Sequence, residues 1–389
     1  MAKKRGNNEG SITRRPNGRW MAQVTIGRDP ATGKPRRATF YGKTRQEVAD
    51  KLTKALRDKQ QGTFVAPHKL TLGEWLHTWL WEYKAPRVRP ATFAGYEMIV
   101  RRHLTLALGH IALQDLRPEH IQHYLNTRLQ DGMAPKTICG HRLLLVNALA
   151  RAEKNGLVAR NVCRLVEPPR YTRKDMRVLT MEQMTTRLLP ALTGHRLSAV
   201  FLTLFLVGLR RGELLGLRWQ DVDMKAQVLH IRQTIVRVKD YSTGHTPLVV
   251  QEPKTASSRR TIPLPEACLS ALRQHRARQA AERLACGPGY TDHGLVFCRE
   301  DGRPLDPRTL NEHFRKAIAE AGLPPLRLHD ARHTFATWLL EQGVSPKVVQ
   351  TMLGHSSIAM TLDIYSHVSL ELEKRAAATL NAALQAGLQ

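Results

Sequence analysis

What the sequence has little of narrows the field first. It contains no run of 18 or more apolar residues, so no membrane-spanning helix is expected. Its opening residues, from Met1 to Gly6, are basic and polar and lack the apolar stretch of an export signal; a cytoplasmic location is expected. The five cysteines, Cys139, Cys163, Cys268, Cys286 and Cys298, are odd in number and widely scattered, with no Cys-x-x-Cys pair. That argues against a disulfide framework or a structural zinc site and fits a reducing compartment. Acidic residues are the other scarcity: 33 Asp and Glu stand against 60 Lys and Arg, a formal net charge of +27. A charge that large repels itself and calls for a polyanion, nucleic acid first and an anionic membrane surface second. There is also no concentrated Asp/Glu cluster of the kind that holds Mg²⁺ in most nucleases.

What is present is enough chain, at 389 residues, for two or three cores. Residues 1–65 carry 16 Lys and Arg against 5 Asp and Glu. Turn signals at Pro16-Asn17-Gly18 and Asp29-Pro30 separate three alternating stretches, with strands expected near 10–15, 20–26 and 36–41. Thr44 and Glu47 then open a helix with Val48, Leu52, Ala55 and Leu56 on one face. A small sheet of this kind can enter a DNA major groove, although a basic solvated surface also accounts for the charge.

Residues 70–162 read as all helix. Starts are marked by Thr71 with Glu74, by Pro90, by Pro118 and by Pro135. Trp75, Trp79 and Trp81 are expected in the core of this region, and Arg101, Arg102, Lys136, His141, Arg142 and Arg151 are candidate phosphate contacts. The Pro-rich stretch 167–174 is the expected linker to a third domain, 176–389. That domain should open on a capping box at Leu179-Thr180-Met181-Glu182. A long apolar helix ending at Gly208, short strands near 227–232, 247–250 and 260–263, and helices from 307 to 384 follow. The fold class is therefore multidomain α+β: a small β-sheet-plus-helix domain, an all-α domain, and a mainly helical domain with a small antiparallel sheet.

The chemistry concentrates in the third domain. Gly208-Leu209-Arg210-Arg211-Gly212-Glu213 places Arg210 at a helix corner, with Glu213 able to lie beside it and fix its fork. Alone, this is equally an ordinary corner with a surface arginine. His329-Asp330-Ala331-Arg332-His333 puts two histidines and an arginine on a helix, off the apolar stripe of Ala331, Phe335, Trp338 and Leu339. Two histidines four apart also fit zinc, but the motif lacks the glutamate that zinc hydrolysis would want. Leu353-Gly354-His355 projects a further histidine from a glycine turn, and Tyr365 follows ten residues later. Breaking a phosphodiester needs a nucleophile, cationic or hydrogen-bonding groups for the phosphoryl oxygens, and an acid for the leaving oxygen. Arginines, histidines and a tyrosine meet that need without a metal.

These boxes, in this order, resemble the tyrosine recombinase, or phage integrase, family, of the lambda type with an N-terminal arm-binding domain. The resemblance implies a site-specific DNA recombinase or integrase of a mobile element, acting through a 3′-phosphotyrosyl intermediate with neither ATP nor metal nor other cofactor. A cellular Xer-like resolvase and a non-catalytic DNA-binding regulator on the same scaffold are the alternatives. The implied catalytic residues are Arg210, Lys254, His329, Arg332, His355 and, as nucleophile, Tyr365. Lys254, in Pro253-Lys254-Thr255, resembles the family's β-hairpin lysine, which donates a proton to the departing 5′ oxygen. Residues 1–65 would be the arm-type DNA-binding domain, 70–162 the core-binding domain and 176–389 the catalytic domain. Implied partners are double-stranded DNA at attachment sites, a homotetramer on that DNA, an excisionase and a host DNA-bending protein. In relatives the segment after the tyrosine packs on a neighbouring protomer; here the apolar stripe of Leu372, Ala376, Thr379, Leu380 and Ala383 could equally fold back on its own domain.

Overall fold

The structure is a computed structural model in which residues 10–28, 32–61, 64–66, 68–172, 176–253, 258–365, 377–378, 380–381 and 384–385 are described. The chain divides into two compact units, 1–173 and 174–389.

Unit 1 begins with an antiparallel sheet of β1 (Ser11–Arg14), β2 (Trp20–Arg28) and β3 (Pro35–Gly42), in the order β1-β2-β3. Helix α1 (Arg45–Gln60) starts where expected, with the Thr44 side chain accepting from the Glu47 N–H. It lays Val48, Leu52 and Ala55 on Ala22, Val24 and Ala38, the inward positions of the alternating strands. Register pairs Gln23 with Thr39 and Thr25 with Arg37 on the opposite face, which α1 leaves uncovered.

The rest of unit 1 is helical, as its pattern predicts: α2 (Leu72–Thr78), α3 (Pro90–Ile99), α4 (Thr105–Leu108), α5 (Pro118–Gln130) and α6 (Pro135–Lys154). Thr71 and Glu74 form a full capping box. Two π-helical stretches, Trp79–Lys84 and Val100–Leu104, continue α2 and join α3 to α4; periodicity in the sequence carries no mark of them. Trp75 and Trp79 are buried as expected, and the Trp75 indole donates to the Ala148 carbonyl at 3.0 Å. Trp81 is the exception: it is 38% exposed, edge-on to Phe93 at 4.9 Å. The π-helical stretch 79–84 adds a residue to the turn there, so helical spacing alone does not carry Trp81 inward.

Unit 2 opens with short helices α7 (Met181–Gln183) and α8 (Leu189–Ala191). Its capping box is Thr180 with Gln183, not the Leu179 to Glu182 pairing read from the sequence; the hydroxyl sits one residue later, so its partner does too. Helix α9 (Ser198–Val207) is apolar all round and is the centre of the unit. Phe201 and Phe205 pack on Phe314, and Phe205 also on Trp338. Around it come α10 (Arg211–Leu215), strands β4 (Val222–Asp223), β5 (Val228–His230), β6 (Thr234–Arg237), β7 (Leu248–Gln251) and β8 (Thr261–Pro263), and then α11 (Glu266–Cys286). Helices α12 (Pro307–Glu320), α13 (Leu328–Glu341), α14 (Pro346–Leu353) and α15 (Ala359–Tyr365) complete it.

The strands form two antiparallel sheets, β4-β5-β8 and β6-β7. The strands before and after Lys254 were expected to bracket it as a hairpin. They do not pair with each other: β7 pairs with β6, and β8 with β5. Lys254 itself lies outside the described residues, as does most of the expected C-terminal helix 370–384.

Candidate active site

Two glycine-capped helix ends build the site. Helix α9 stops at Gly208, whose φ of +66° favours glycine. A Cβ at that position would lie 2.4 Å from the Phe335 ring, so close packing also demands glycine. Helix α14 stops at Gly354, with φ +64°. A helix C-terminus leaves carbonyls without intrahelical partners and carries a partial negative charge. Guanidinium groups take up these carbonyls.

Each of the last three carbonyls around the end of α14 receives a different arginine. Arg260 Nε donates to Met352 O at 2.6 Å, Arg332 Nη2 donates to Leu353 O, and Arg210 Nη2 donates to Gly354 O at 2.6 Å. Arg332 also donates from Nη1 to Gly208 O at 2.7 Å, so it ties the ends of α9 and α14 together. Glu213 is the counter-charge. Its carboxylate, 1% exposed, accepts from Arg210 Nη1 at 2.7 Å and from the Arg210 N–H at 3.0 Å, the role the sequence spacing predicts. It also accepts two bonds from Arg260, at 3.1 and 2.9 Å. Burial pushes the Glu213 carboxyl up, but the Arg260 bonds and charge, with Arg210 behind them, outweigh it and hold it below its ordinary value.

Three arginines thus stand around one carboxylate that bonds only Arg210 and Arg260, and the surplus is positive. Arg332 is 2% exposed, and its guanidinium is pushed down to about 9, by burial first and by the Arg210 charge second. Of the face set off from the apolar stripe of α13, His329 is exposed and His333 half-buried, whereas Arg332 is buried, because α9, α14 and α15 all pack on the helix. Arg210 is the open member of the set, with 36% of its side chain exposed.

The histidines ring this charge. His355 follows Gly354, is buried, and bonds through Nδ1 to Thr361 Oγ1 at 3.0 Å. Its imidazole is pushed down to about 3, by burial and then by Arg332 and Arg210. His329 and His333 meet edge to face at 4.8 Å on α13. His333 is pushed down to about 4, by burial and then by His329; His329 shifts the same way, by burial and then by Arg332. His333 and His355 are neutral near pH 7, so arginine carries the charge there and these histidines offer hydrogen bonds. An anion placed among them would favour their protonated forms.

The structure therefore brings Arg210, His329, Arg332 and His355 to one corner of unit 2. Tyr365 is the last residue of α15, which packs on α13 and α14. Two neighbours escaped the sequence reading. Arg260 stands in an Arg259-Arg260 pair that resembles any basic loop, and only the fold shows it 5% exposed on Glu213. Thr361 is one of many helical threonines, and only the αL turn at Gly354 brings His355 back to it. Among the described residues no group of three or more His, Cys, Asp or Glu is placed to hold a metal ion.

In unit 1, one candidate phosphate contact is withdrawn. His141 is buried, its Nδ1 lies 2.8 Å from the Tyr124 hydroxyl, and burial followed by the charges of His103 and Arg128 pushes it down to about 4. It is a core residue, because its position on α6 faces α5. Arg142 donates from Nε to Val166 O at 2.8 Å, and Arg151 lies over the Tyr83 ring at 4.9 Å, both half-buried. Arg101, bonded to Glu97, with Arg102 and Lys136, is exposed.

Comparison with known proteins agrees with this geometry. Residues 176–371 match the Phage integrase family, and residues 71–129 match the phage integrase N-terminal SAM-like domain. A tyrosine recombinase XerC-like protein of Caldanaerobacter subterraneus is 36% identical over 380 residues, covering 93% of this chain and 95% of its own. An integrase of Streptomyces ambofaciens is 29% identical over 378 residues, covering 94% of each. Among solved structures, the Tn1549 transposon integrase in complex with transposon right end DNA superposes with a TM-score of 0.68 at 22% identity, over 80% of this chain and 99% of that one, which speaks for the fold. A corner of helix-capped arginines and histidines, on a chain that matches such relatives almost end to end, places this protein in the phage integrase family of tyrosine recombinases.

Proposed function

We propose that this recombinase is the integrase of a mobile element and that Tyr365 is its nucleophile. The Tyr365 hydroxyl loses its proton to solvent and its oxygen attacks the scissile phosphorus. The bond to the 5′ oxygen breaks, that oxygen leaves with a proton from Lys254, and the phosphate stays as a 3′-phosphotyrosyl ester. A 5′ hydroxyl of the partner duplex then attacks the ester and releases the tyrosine. One phosphodiester replaces another, so the exchange needs no external energy source. The observation that carries this reading is the set of guanidinium groups held on the carbonyls ending α14. Arg210 and Arg332 are charged donors fixed before substrate arrives, as stabilisation of a phosphoryl transition state requires. His329 and His355 add donors to the phosphate.

Exchange of both strands of two duplexes takes four cleavages. With one nucleophile per chain, the working assembly on double-stranded DNA is a homotetramer. Residues 1–65, 70–162 and 176–389 act as arm-binding, core-binding and catalytic domains. An excisionase and a host DNA-bending protein set direction and geometry, and the work is done in the cytoplasm. The XerC-like relative supports a second reading, a cellular resolvase. Recombination assays separate the two: an integrase joins a circle to a second molecule at attachment sites beside its own gene, whereas a resolvase splits chromosome dimers.

The chemistry is tested with a nicked suicide substrate and denaturing electrophoresis. The expected result is protein attached to the DNA 3′ end, mapped by peptide to Tyr365, and no adduct from Tyr365→Phe. A linkage to the 5′ end or to serine would overturn the assignment.

A further inference from the structure

The bond between Thr361 and His355 has a consequence for which ring nitrogen carries the proton. Eight threonines in the described helical segments, Thr53, Thr78, Thr127, Thr185, Thr186, Thr203, Thr334 and Thr351, direct the hydroxyl to the carbonyl four residues back. That is the ordinary use of a helical threonine. Thr361 does otherwise. Its side chain is fully buried, and its hydroxyl meets His355 Nδ1 at 3.0 Å as its one partner among the described residues.

A buried hydroxyl with one partner can donate to it or accept from it, but the choices differ in cost. If Nδ1 carried the hydrogen, the Thr361 O–H would have no acceptor among the described residues, and a buried donor without an acceptor is expensive. If Thr361 donates, only a spare lone pair is left over. The cheaper arrangement makes Nδ1 the acceptor. A neutral imidazole has one N–H, which then sits on Nε2. Nε2 has no hydrogen-bond partner among the described residues, and the charges that bear on the ring are those of Arg332 and Arg210.

We propose that Thr361 is a positioning residue that holds His355 as its Nε2–H tautomer, so that a neutral histidine presents a donor, not a lone pair, to a phosphoryl oxygen. The assignment rests on His355 facing the scissile phosphate, as proposed above. Its chemistry is specific. The wrong tautomer would turn a lone pair toward an anion, and a doubly protonated ring would put an N–H against the Thr361 hydroxyl and strand the O–H. Thr361 therefore favours the neutral ring as well as one tautomer of it. It also stands one helical turn before Tyr365, so the turn of α15 that fixes the imidazole is the turn that leads to the nucleophile.

The test is the ¹⁵N spectrum of the full chain with labelled histidine, with the His355 signals assigned by their loss in His355→Gln. The wild type should show a protonated Nε2 and an unprotonated Nδ1. Thr361→Val, which keeps the shape and removes the hydroxyl, should shift His355 toward a mixture of tautomers. It should also slow single-turnover cleavage of the nicked substrate by roughly 10-fold, the lower end for loss of a group that orients a functional imidazole. DNA affinity should hold, and Thr361→Ser should restore both spectrum and rate. A wild-type ring protonated on Nδ1 would overturn the proposal without any variant, and so would full-speed cleavage by Thr361→Val. A correct tautomer in a chain whose 3′ adduct does not map to Tyr365 would instead sink the functional reading and leave the hydrogen-bond assignment standing.

Discussion

The N-terminal sheet and the corner around Glu213 use the same side chain for different work. On the sheet, Arg14, Arg36 and Arg37 are exposed, and no ion pair forms on them among the described residues. They have reach and rotamer freedom, which suits long-range attraction to a polyanion and counterion release. At the corner, Arg260 and Arg332 are buried and donate to named carbonyls, which suits one geometry at one phosphate. Net charge read from composition registers both alike. Only packing tells an arginine that attracts from one that positions.

Four measurements would break or sharpen that contrast. The largest effect belongs to Arg332→Gln, which loses the charge and the clamp on two helix ends. Single-turnover cleavage should fall by roughly 10³-fold, while DNA affinity at low salt changes little. A proportional fall in affinity would mean that the corner, too, works by attraction. Next comes Arg260→Gln, which leaves the buried Glu213 with Arg210 alone. Stability in denaturant should drop by about 3–5 kcal/mol, the usual cost of breaking a buried ion pair from one side. Replacing both partners, Arg260→Met with Glu213→Gln, should cost less than the single change.

On the sheet, Arg14→Gln, Arg36→Gln and Arg37→Gln together should weaken DNA binding and flatten the slope of log K against log salt by about 2 to 3. The rate of cleavage once DNA is bound should be unchanged. A slope that stays as steep would remove the sheet from the DNA-binding surface.

The smallest effect is on pH. His141 is held at about 4 in the fold against an ordinary 6.5. Below 6.5 the unfolded chain binds the proton first, so this contribution to stability is full above pH 6.5. It should fade as acidification proceeds toward pH 4. A thermal-melt series across that window should show the decline, and His141→Gln should make it shallower.

Much of this was legible in the sequence where local rules act alone. Alternation over 20–26 and the helical stripe of Val48, Leu52 and Ala55 named the first core, because strand and helix periods fix which residues face inward. Gly208 and Gly354 announced two helix ends, because few residues other than glycine hold a positive φ. The pairing of Arg210 with Glu213 followed from three-residue spacing at a helix start. What could not be read depends on contacts distant in sequence. Arg260 reaches Glu213 across 47 residues, and Met352 across 92. The strands on either side of Lys254 look like a hairpin by proximity, and their true partners, β5 and β6, come earlier in the chain. His141 looked like a surface cation because its hydroxyl partner, Tyr124, sits on another helix.

The end of α14 gives the three guanidiniums a shared anchor. Met352, Leu353 and Gly354 are consecutive, so the carbonyls that seat Arg260, Arg332 and Arg210 lie on neighbouring peptide planes at one helix end. A shift of that helix end would loosen one bond of each guanidinium together, while Glu213 keeps its hold on Arg210 and Arg260 and the Gly208 carbonyl keeps Arg332.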